Sequence, residues 1–143
     1  MLNKTTINGI LNDLYDGKYL GFSTATPTGY DAGQITAFAE PSATTGYQRI
    51  ECQMDAASDG VKKNGSHNLE WPAPNEGQSY GQATHIGIFS SKTGGTPIGA
   101  IPLAEAVTLG LKNTLIIYKG KFTASMTVTD AAATETADRK SVV

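Results

Sequence analysis

The stretch from Thr84 to Pro97 constrains the fold of this chain more than any other segment. It reads T-H-I-G-I-F-S-S-K-T-G-G-T-P. Ile86 and Ile88 occupy alternate positions, which is the period of a β-strand. The Gly94-Gly95 pair supplies the positive φ that a tight hairpin turn requires. The segment therefore predicts a β-hairpin with an apolar face.

The remainder of the chain predicts one helix followed by short strands. Apolar residues from Ile7 to Leu14 follow helical spacing, with Thr5 or Thr6 as the expected cap and Gly17 just past the end. Strands are predicted over residues 19–23, 47–54, 67–71, 84–90, 97–102, 106–111, 114–118 and 122–128, with long loops at 24–45 and 55–65 and a two-residue turn at 112–113. The predicted fold class is mainly β, an antiparallel β-sandwich or barrel with one short N-terminal helix and an extended C-terminal arm.

Length and charge limit the organisation and the partners. A chain of 143 residues fits one domain. We expect a single β-sandwich domain over residues 5–129 and an arm over 130–143, because the arm has too little apolar content to pack alone. The net charge of −2 predicts no direct nucleic-acid binding. No apolar run reaches the ~20 residues of a membrane span, so no membrane association is expected.

The residues that could support catalysis form no recognisable motif. Cys52 shares an apolar face with Ile50, which favours a core thiol over a nucleophile and leaves no disulfide partner. Two histidines, His67 and His85, could bind a metal with Glu51 or Glu70, but the spacing matches no ligand pattern. A hydrolase that uses Glu51 or Glu70 with His85 is a third hypothesis for function. We expect no enzyme, no metal and no cofactor.

The predicted core and the predicted interface use different residues. One inter-sheet core is expected to be formed by Ile50, Leu69, Ile86, Ile88, Leu115 and Ile116 or Ile117. Loop aromatics that we expect to be exposed are interface candidates, because Trp and Tyr dominate interface hot spots; the alternative is that these rings fold back on the domain. The interface candidates are Tyr30, Trp71 and Tyr80, with Arg139, Val142 and Val143 of the arm.

Motifs in order along residues 5–128 resemble those of small structural proteins of tailed bacteriophages, many of which are labelled tail fibre proteins. Similar proteins have a "YLGLSTADPT"-like strand, a "GGYAR"-like strand, an "F-P" strand and a "VTHFGIFDAATGGNLL"-like hairpin. The matching segments here are 19–28, 46–49, 71–72 and 84–95. None of these motifs is catalytic in the family, so the resemblance implies a structural protein of the virion.

Two positions in the virion are consistent with that resemblance. The first hypothesis is a capsid decoration, or cement, protein that bridges capsomers and adds stability by binding only the assembled shell. The alternative is a tail-fibre or baseplate-associated module for attachment to the host surface. The expected partners are the major capsid protein or other virion proteins and copies of the chain itself. The protein would be made in the host cytoplasm and located in the virion.

Overall fold

The computed structural model describes residues 2–126, which form one helix, a short 3-10 helix and eight strands. The helix α1 spans Lys4–Tyr15 and the 3-10 helix spans Ala43–Thr45. The strands are β1 (Tyr19–Ser23), β2 (Ile50–Glu51), β3 (Val61–Lys63), β4 (Leu69–Glu70), β5 (Gly81–Phe89), β6 (Gly99–Leu109), β7 (Ile116–Ile117) and β8 (Thr123–Ser125). The predicted mainly β fold with antiparallel pairing and one N-terminal helix is confirmed. The predicted arm, 130–143, lies outside the described residues.

The strands are distributed over three antiparallel sheets. The largest has the order β2-β1-β5-β6, and two ribbons pair β3 with β8 and β4 with β7. The predicted hairpin forms half of the largest sheet: β5 and β6 pair with Ile86 opposite Ile101, and both turn glycines have positive φ. The hairpin is longer than predicted, because Val107 and Leu109 continue β6 opposite the start of β5.

Three local predictions are wrong. The helix begins after Asn3 rather than after Thr5 or Thr6, although Gly17 follows its end with φ 72° as expected. The predicted turn at 112–113 joins no hairpin, because β7 pairs with β4 from a distant part of the chain. The predicted loop at 55–65 contains β3, which finds its partner β8 about sixty residues further on. Short strands of this kind form by pairing with distant parts of the chain, and local sequence patterns do not indicate such pairing.

One face of the large sheet packs into the main core. Leu20 and Phe22 of β1 lie opposite Ile88 and Ile86 of β5, and all four are buried. The helix contributes Ile7, Leu11 and Tyr15, β4 contributes Leu69, and the residues just before β7 and β8 contribute Leu115 and Phe122. The predicted core residues are confirmed: Leu69, Ile86, Ile88 and Leu115 are buried, while Ile50 and Ile117 are partly buried against them.

The loop that follows β1 covers the opposite face of the sheet. Gly21 and Gly87 lie side by side in the register and leave room above the sheet. The Phe38 ring occupies this room, because a methyl group on Gly87 would lie 2.6 Å from its Cζ atom. Phe38 also packs edge-on against Phe89, with the ring centroids 5.3 Å apart. The single glycine of the T-H-I-G-I-F segment, Gly87, therefore admits an aromatic side chain from residues 24–45.

A buried lysine joins the helix to the first ribbon. The Lys62 side chain is fully buried in β3. Its Nζ donates to Asn12 Oδ1 of α1 at 2.6 Å and to the Asp55 carbonyl oxygen at 3.0 Å, and it lies 2.9 Å from an Asp16 carboxylate oxygen. These partners satisfy an ammonium group that would otherwise be costly to bury. The position of α1 on the ribbon is therefore set by polar contacts as well as by Ile7 and Leu11.

Candidate functional site

A polar clamp holds the tip of the central hairpin to the loop before β2. We define this clamp as Glu40, Tyr47 and Arg49. Arg49 is buried, and its Nε and Nη2 donate to the two Glu40 carboxylate oxygens at 3.0 and 2.8 Å. This is the bidentate geometry that makes arginine–carboxylate pairs strong and directional.

The same guanidinium reaches the hairpin turn. Nη1 of Arg49 donates to the carbonyl oxygens of Ser91 and Gly94 at 2.9 and 2.8 Å. The Arg49 Cζ atom also lies 3.5 Å from the centroid of the Phe89 ring, which is a cation–π contact. One side chain therefore fixes both the loop and the turn.

Tyr47 completes the clamp from the edge of β1. Its hydroxyl accepts the Phe22 N–H at 3.1 Å and donates to Glu40 Oε2 at 2.6 Å. Burial raises the pKa of Tyr47, and the Glu40 carboxylate raises it further, so the phenol stays protonated. β2 pairs only with Tyr19 and Leu20 of β1, and the Tyr47 hydroxyl accepts the Phe22 N–H that a longer neighbouring strand would otherwise accept.

A groove of about 560 Å³ separates β2 from β4. It is lined by Tyr19, by residues 48–51 and 53, by all of residues 68–73, and by Lys92 of the hairpin turn. The carboxylates Glu51 and Glu70 lie on its opposite walls and are exposed. Amide side chains of Gln48, Gln53 and Asn68 add further hydrogen-bonding groups.

A second, smaller cleft is apolar. It has a volume of about 240 Å³ and lies between the end of α1 and the β5–β6 hairpin. Leu14 and Ile98 on its rim are 43% and 54% exposed, which is high for large aliphatic residues. Tyr15, Ile88 and Ile101 contribute to the walls.

The structure corrects two of the sequence-based interface candidates. Trp71 is 0% exposed and Tyr80 is 4% exposed, so the expectation that they lie on the surface is wrong. Both rings pack edge-on against Phe22, at 5.5 and 5.6 Å between centroids, and the Tyr80 hydroxyl donates to the Pro72 carbonyl oxygen. The free energy gained by burying apolar surface in this cluster outweighs the tendency toward exposure that the loop composition suggested.

The other interface candidates divide into two groups. Tyr30 is half-buried, with its ring edge-on to His85 at 4.8 Å between centroids. Arg139, Val142 and Val143 lie outside the described residues, so their proposed contacts stay predictions.

The residues of the hydrolase and metal hypotheses are only partly brought together. Glu51 and Glu70 share the groove, but His85 lies elsewhere, beside Tyr30 and with Nδ1 2.9 Å from Thr84 Oγ1. Cys52 is buried as expected, and burial raises the pKa of its thiol to about 12. Within residues 2–126 no group of three or more His, Cys, Asp or Glu side chains is arranged to hold a metal ion. No helix in this part of the chain is long and apolar enough to cross a membrane.

Sequence reasoning missed the clamp, although two of its residues lie in a quoted motif. The G-Y-Q-R stretch, residues 46–49, contributes Tyr47 and Arg49, while Glu40 comes from a stretch with weak periodicity. An arginine within the strand predicted over residues 47–54 was the available signal, because a buried guanidinium requires a carboxylate partner. The hairpin motif and the G-Y-Q-R motif are therefore two halves of one structural unit.

These features define a small antiparallel β-domain in which a polar clamp fixes a central hairpin. A family model described as "Podophage GP4 fiber I protein gp80" matches residues 14–125. Because the match covers most of the chain, the chain belongs to this family. It is thus a structural protein of a phage virion, where it associates with other virion proteins, and the resemblance to phage tail fibre proteins is confirmed. No curated protein matches the chain.

Proposed function

We propose that this chain is a non-catalytic component of a phage fibre rather than a capsid decoration protein. The observation that carries the proposal is the family match over residues 14–125, since the family description names a fibre protein. Of the two virion positions inferred from the sequence, the tail-fibre module agrees with that description. The major capsid protein is therefore a less suitable partner than the other proteins of the fibre or its attachment point.

The apolar cleft supports a module that assembles with other proteins. Leu14 and Ile98 expose aliphatic surface at the rim of a preformed recess, and burying such surface in a complex is favourable. A partner side chain of moderate size fits a recess of about 240 Å³. The clamp supports the same role, because it fixes the hairpin that forms one wall of the recess.

The placement of the titratable groups supports a structural role. Glu51 and Glu70 lie in the groove, whereas the candidate base His85 packs against Tyr30. General acid–base chemistry needs these groups within hydrogen-bond reach of one substrate. We therefore expect the His85→Ala variant, which removes the candidate base and leaves the groove carboxylates in place, to keep every activity of the virion.

Counting the copies of the chain in the virion tests the proposal. A decoration protein follows the symmetry of the shell and is present in hundreds of copies, whereas a fibre component follows the symmetry of the tail and is present in far fewer. We expect quantitative mass spectrometry to give at most a few dozen copies. Electron cryomicroscopy with a labelled chain should place them on a fibre. Hundreds of copies on the head would overturn the proposal in favour of capsid decoration.

A further inference from the structure

The groove between β2 and β4 is lined by strand edges rather than by one face of a sheet. Residues 68–73 line it without interruption, and so do residues 48–51. Successive side chains of a strand point to opposite faces, so an unbroken run of lining residues places the backbone itself at the groove. β2 is an edge strand of the large sheet, and β4 has β7 as its partner on one side.

The pairing register shows which backbone groups of β2 face the groove. Cys52 N–H donates to the Lys18 carbonyl oxygen at 2.9 Å, so the backbone groups of Cys52 point toward β1. In an antiparallel pair these directions alternate along the strand. Glu51, which lies opposite Tyr19, therefore points its N–H and C=O away from β1. Neither group has another hydrogen-bond partner among residues 2–126.

The same argument applies to the opposite wall. Trp71 N–H donates to the Leu115 carbonyl oxygen at 3.2 Å, so the Trp71 backbone faces β7. Glu70, which lies opposite Ile116, then points its N–H and C=O away from β7. These groups also have no other partner within the described part of the chain. Two unpaired strand edges thus border one groove.

The other edge of the large sheet, β6, is protected against pairing with a further strand, whereas the edge at this groove is not. On β6, residues 103–106 lie opposite the single residue Thr84, because Pro102 pairs with His85 and Val107 pairs with Ala83. Such a bulge, a proline without an N–H and the exposed Glu105 are devices that prevent edge-to-edge pairing. β2 and β4 carry no proline or bulge within their strands.

We propose that an extended segment of another virion protein adds as a strand between β2 and β4. Its backbone would hydrogen-bond to the free groups of Glu51 on one side and of Glu70 on the other, which is strand addition. The identity of the partner as a virion protein rests on the proposed function, whereas the binding mode rests on the groove alone.

The charges in the groove define the chemistry of this segment. The Glu51 and Glu70 side chains are exposed, and neither forms an ion pair within residues 2–126. The Arg49 guanidinium is already engaged by Glu40, so two carboxylates face the single remaining cation of the lining, Lys92. The segment therefore carries a lysine or arginine between the two carboxylates, flanked by β-branched residues that favour an extended backbone.

Proline substitutions on the groove walls test the backbone contacts. Glu51→Pro removes the outward N–H without removing a hydrogen bond to β1, a position where an edge strand tolerates proline. Glu51→Ala is the matched control, because it removes the carboxylate and keeps the N–H. The Glu70→Pro and Glu70→Ala pair repeats the test from the other wall if Glu51→Pro does not fold by circular dichroism.

The probe is a capped hexapeptide of threonine and valine with one central lysine, titrated into ¹⁵N-labelled protein. We expect amide shift changes concentrated at Glu51 and Glu70, and binding about tenfold weaker for each proline variant than for its alanine control, as for one lost hydrogen bond. A peptide with glutamate in place of lysine should bind more weakly to the wild-type protein. Equal binding by the proline and alanine variants would overturn strand addition, and equal binding of the two peptides would overturn the basic segment.

Two outcomes separate this proposal from its alternatives. Concentration-dependent dimerisation in sedimentation experiments that is abolished by Glu51→Pro would assign the groove to a second copy of the chain and overturn the choice of another virion protein. The copy number and location of the chain in the virion test the proposed function and do not depend on the peptide titration. Failure of one measurement therefore leaves the other informative.

Discussion

The Arg49 guanidinium stacks on the Phe89 ring, with Cζ 3.5 Å from the ring centroid, and so connects the last residue of β5 to the loop before β2. The Glu40 carboxylate accepts two hydrogen bonds from one edge of the same guanidinium, from Nε and Nη2. The stack and the pair together bury a charge whose partners lie in two separate parts of the chain. The hairpin tip is therefore coupled to the loop rather than free.

The first prediction concerns this clamp. Arg49→Lys keeps the charge but removes the bidentate fork and the planar stack. We expect a loss of roughly 2–4 kcal/mol in the free energy of unfolding, somewhat below the usual cost of breaking a buried pair because Glu40 keeps some contact with water. Urea denaturation measures the loss. The control is Lys4→Met, which breaks the solvent-exposed pair with Asp59 and should cost much less than Arg49→Lys. Equal costs for the two variants would contradict the clamp.

The second prediction concerns the space above Gly87. Gly87→Ala places a methyl group 2.6 Å from Phe38 Cζ and forces the ring to move. We expect a loss of about 1–3 kcal/mol in stability, as for overpacking, and recovery of most of it in the double variant with Phe38→Leu. In the helix, Gly9→Ala meets nothing within 4 Å and should raise stability by up to about 1 kcal/mol. Additive effects of Gly87→Ala and Phe38→Leu would show that the two residues do not share this space.

Local patterns were sufficient for the parts of the fold that are continuous in sequence. The alternation at Ile86 and Ile88 with the Gly94-Gly95 pair predicted the hairpin, and the helical spacing from Ile7 predicted α1. Both elements form their hydrogen bonds within one stretch of chain, so their signals are local.

Local patterns failed where burial depends on distant partners. Trp71 and Tyr80 stand beside proline and glycine residues that suggest exposure, yet both bury their rings against Phe22. Lys62 lies in a polar stretch but is fully buried, because Asn12 and Asp55 supply its oxygen partners. The groove between β2 and β4 could not be predicted either, because it depends on how the ribbon lies beside the large sheet.

The third prediction tests the core face of the hairpin. Ile88 is 7% exposed and packs into the main core, so Ile88→Ala should cost roughly 2–5 kcal/mol in the free energy of unfolding. Ile98 is its matched control, since it is 54% exposed on the same hairpin, and Ile98→Ala should change stability by less than about 0.5 kcal/mol. Chemical denaturation of both variants under identical conditions makes the comparison. A cost for Ile88→Ala no larger than that for Ile98→Ala would place Ile88 outside the core.

The fourth prediction concerns pH. Burial lowers the pKa of His85 below its ordinary value of 6.5, and the Asp31 carboxylate offsets only part of this effect. The unfolded chain therefore binds a proton before the folded chain does. The stabilising contribution of neutral His85 is complete above about pH 6.5 and is lost as the pH falls toward the folded-state pKa.

The measurement is the free energy of unfolding between pH 7.5 and about pH 5, above the range in which most carboxylates titrate. His85→Gln retains a side chain that donates and accepts hydrogen bonds but removes the titration. We expect the wild-type protein to lose more stability over this interval than the variant does. The opposite ordering, or identical slopes, would show that His85 is not held in its neutral form.

The last prediction concerns the single thiol. Cys52 is 8% exposed, and burial raises its pKa to about 12, so almost no reactive thiolate is present at pH 8. Iodoacetamide should therefore modify the folded protein only as fast as it opens, and should modify Cys52 fully once urea has unfolded the chain. A thiol introduced by Ala104→Cys, at an exposed position of β6, should react within minutes in the same folded protein. Mass spectrometry of proteolytic peptides distinguishes the two cysteines. Modification of Cys52 at the rate of the introduced thiol would mean that the sulfur is not buried in the folded protein.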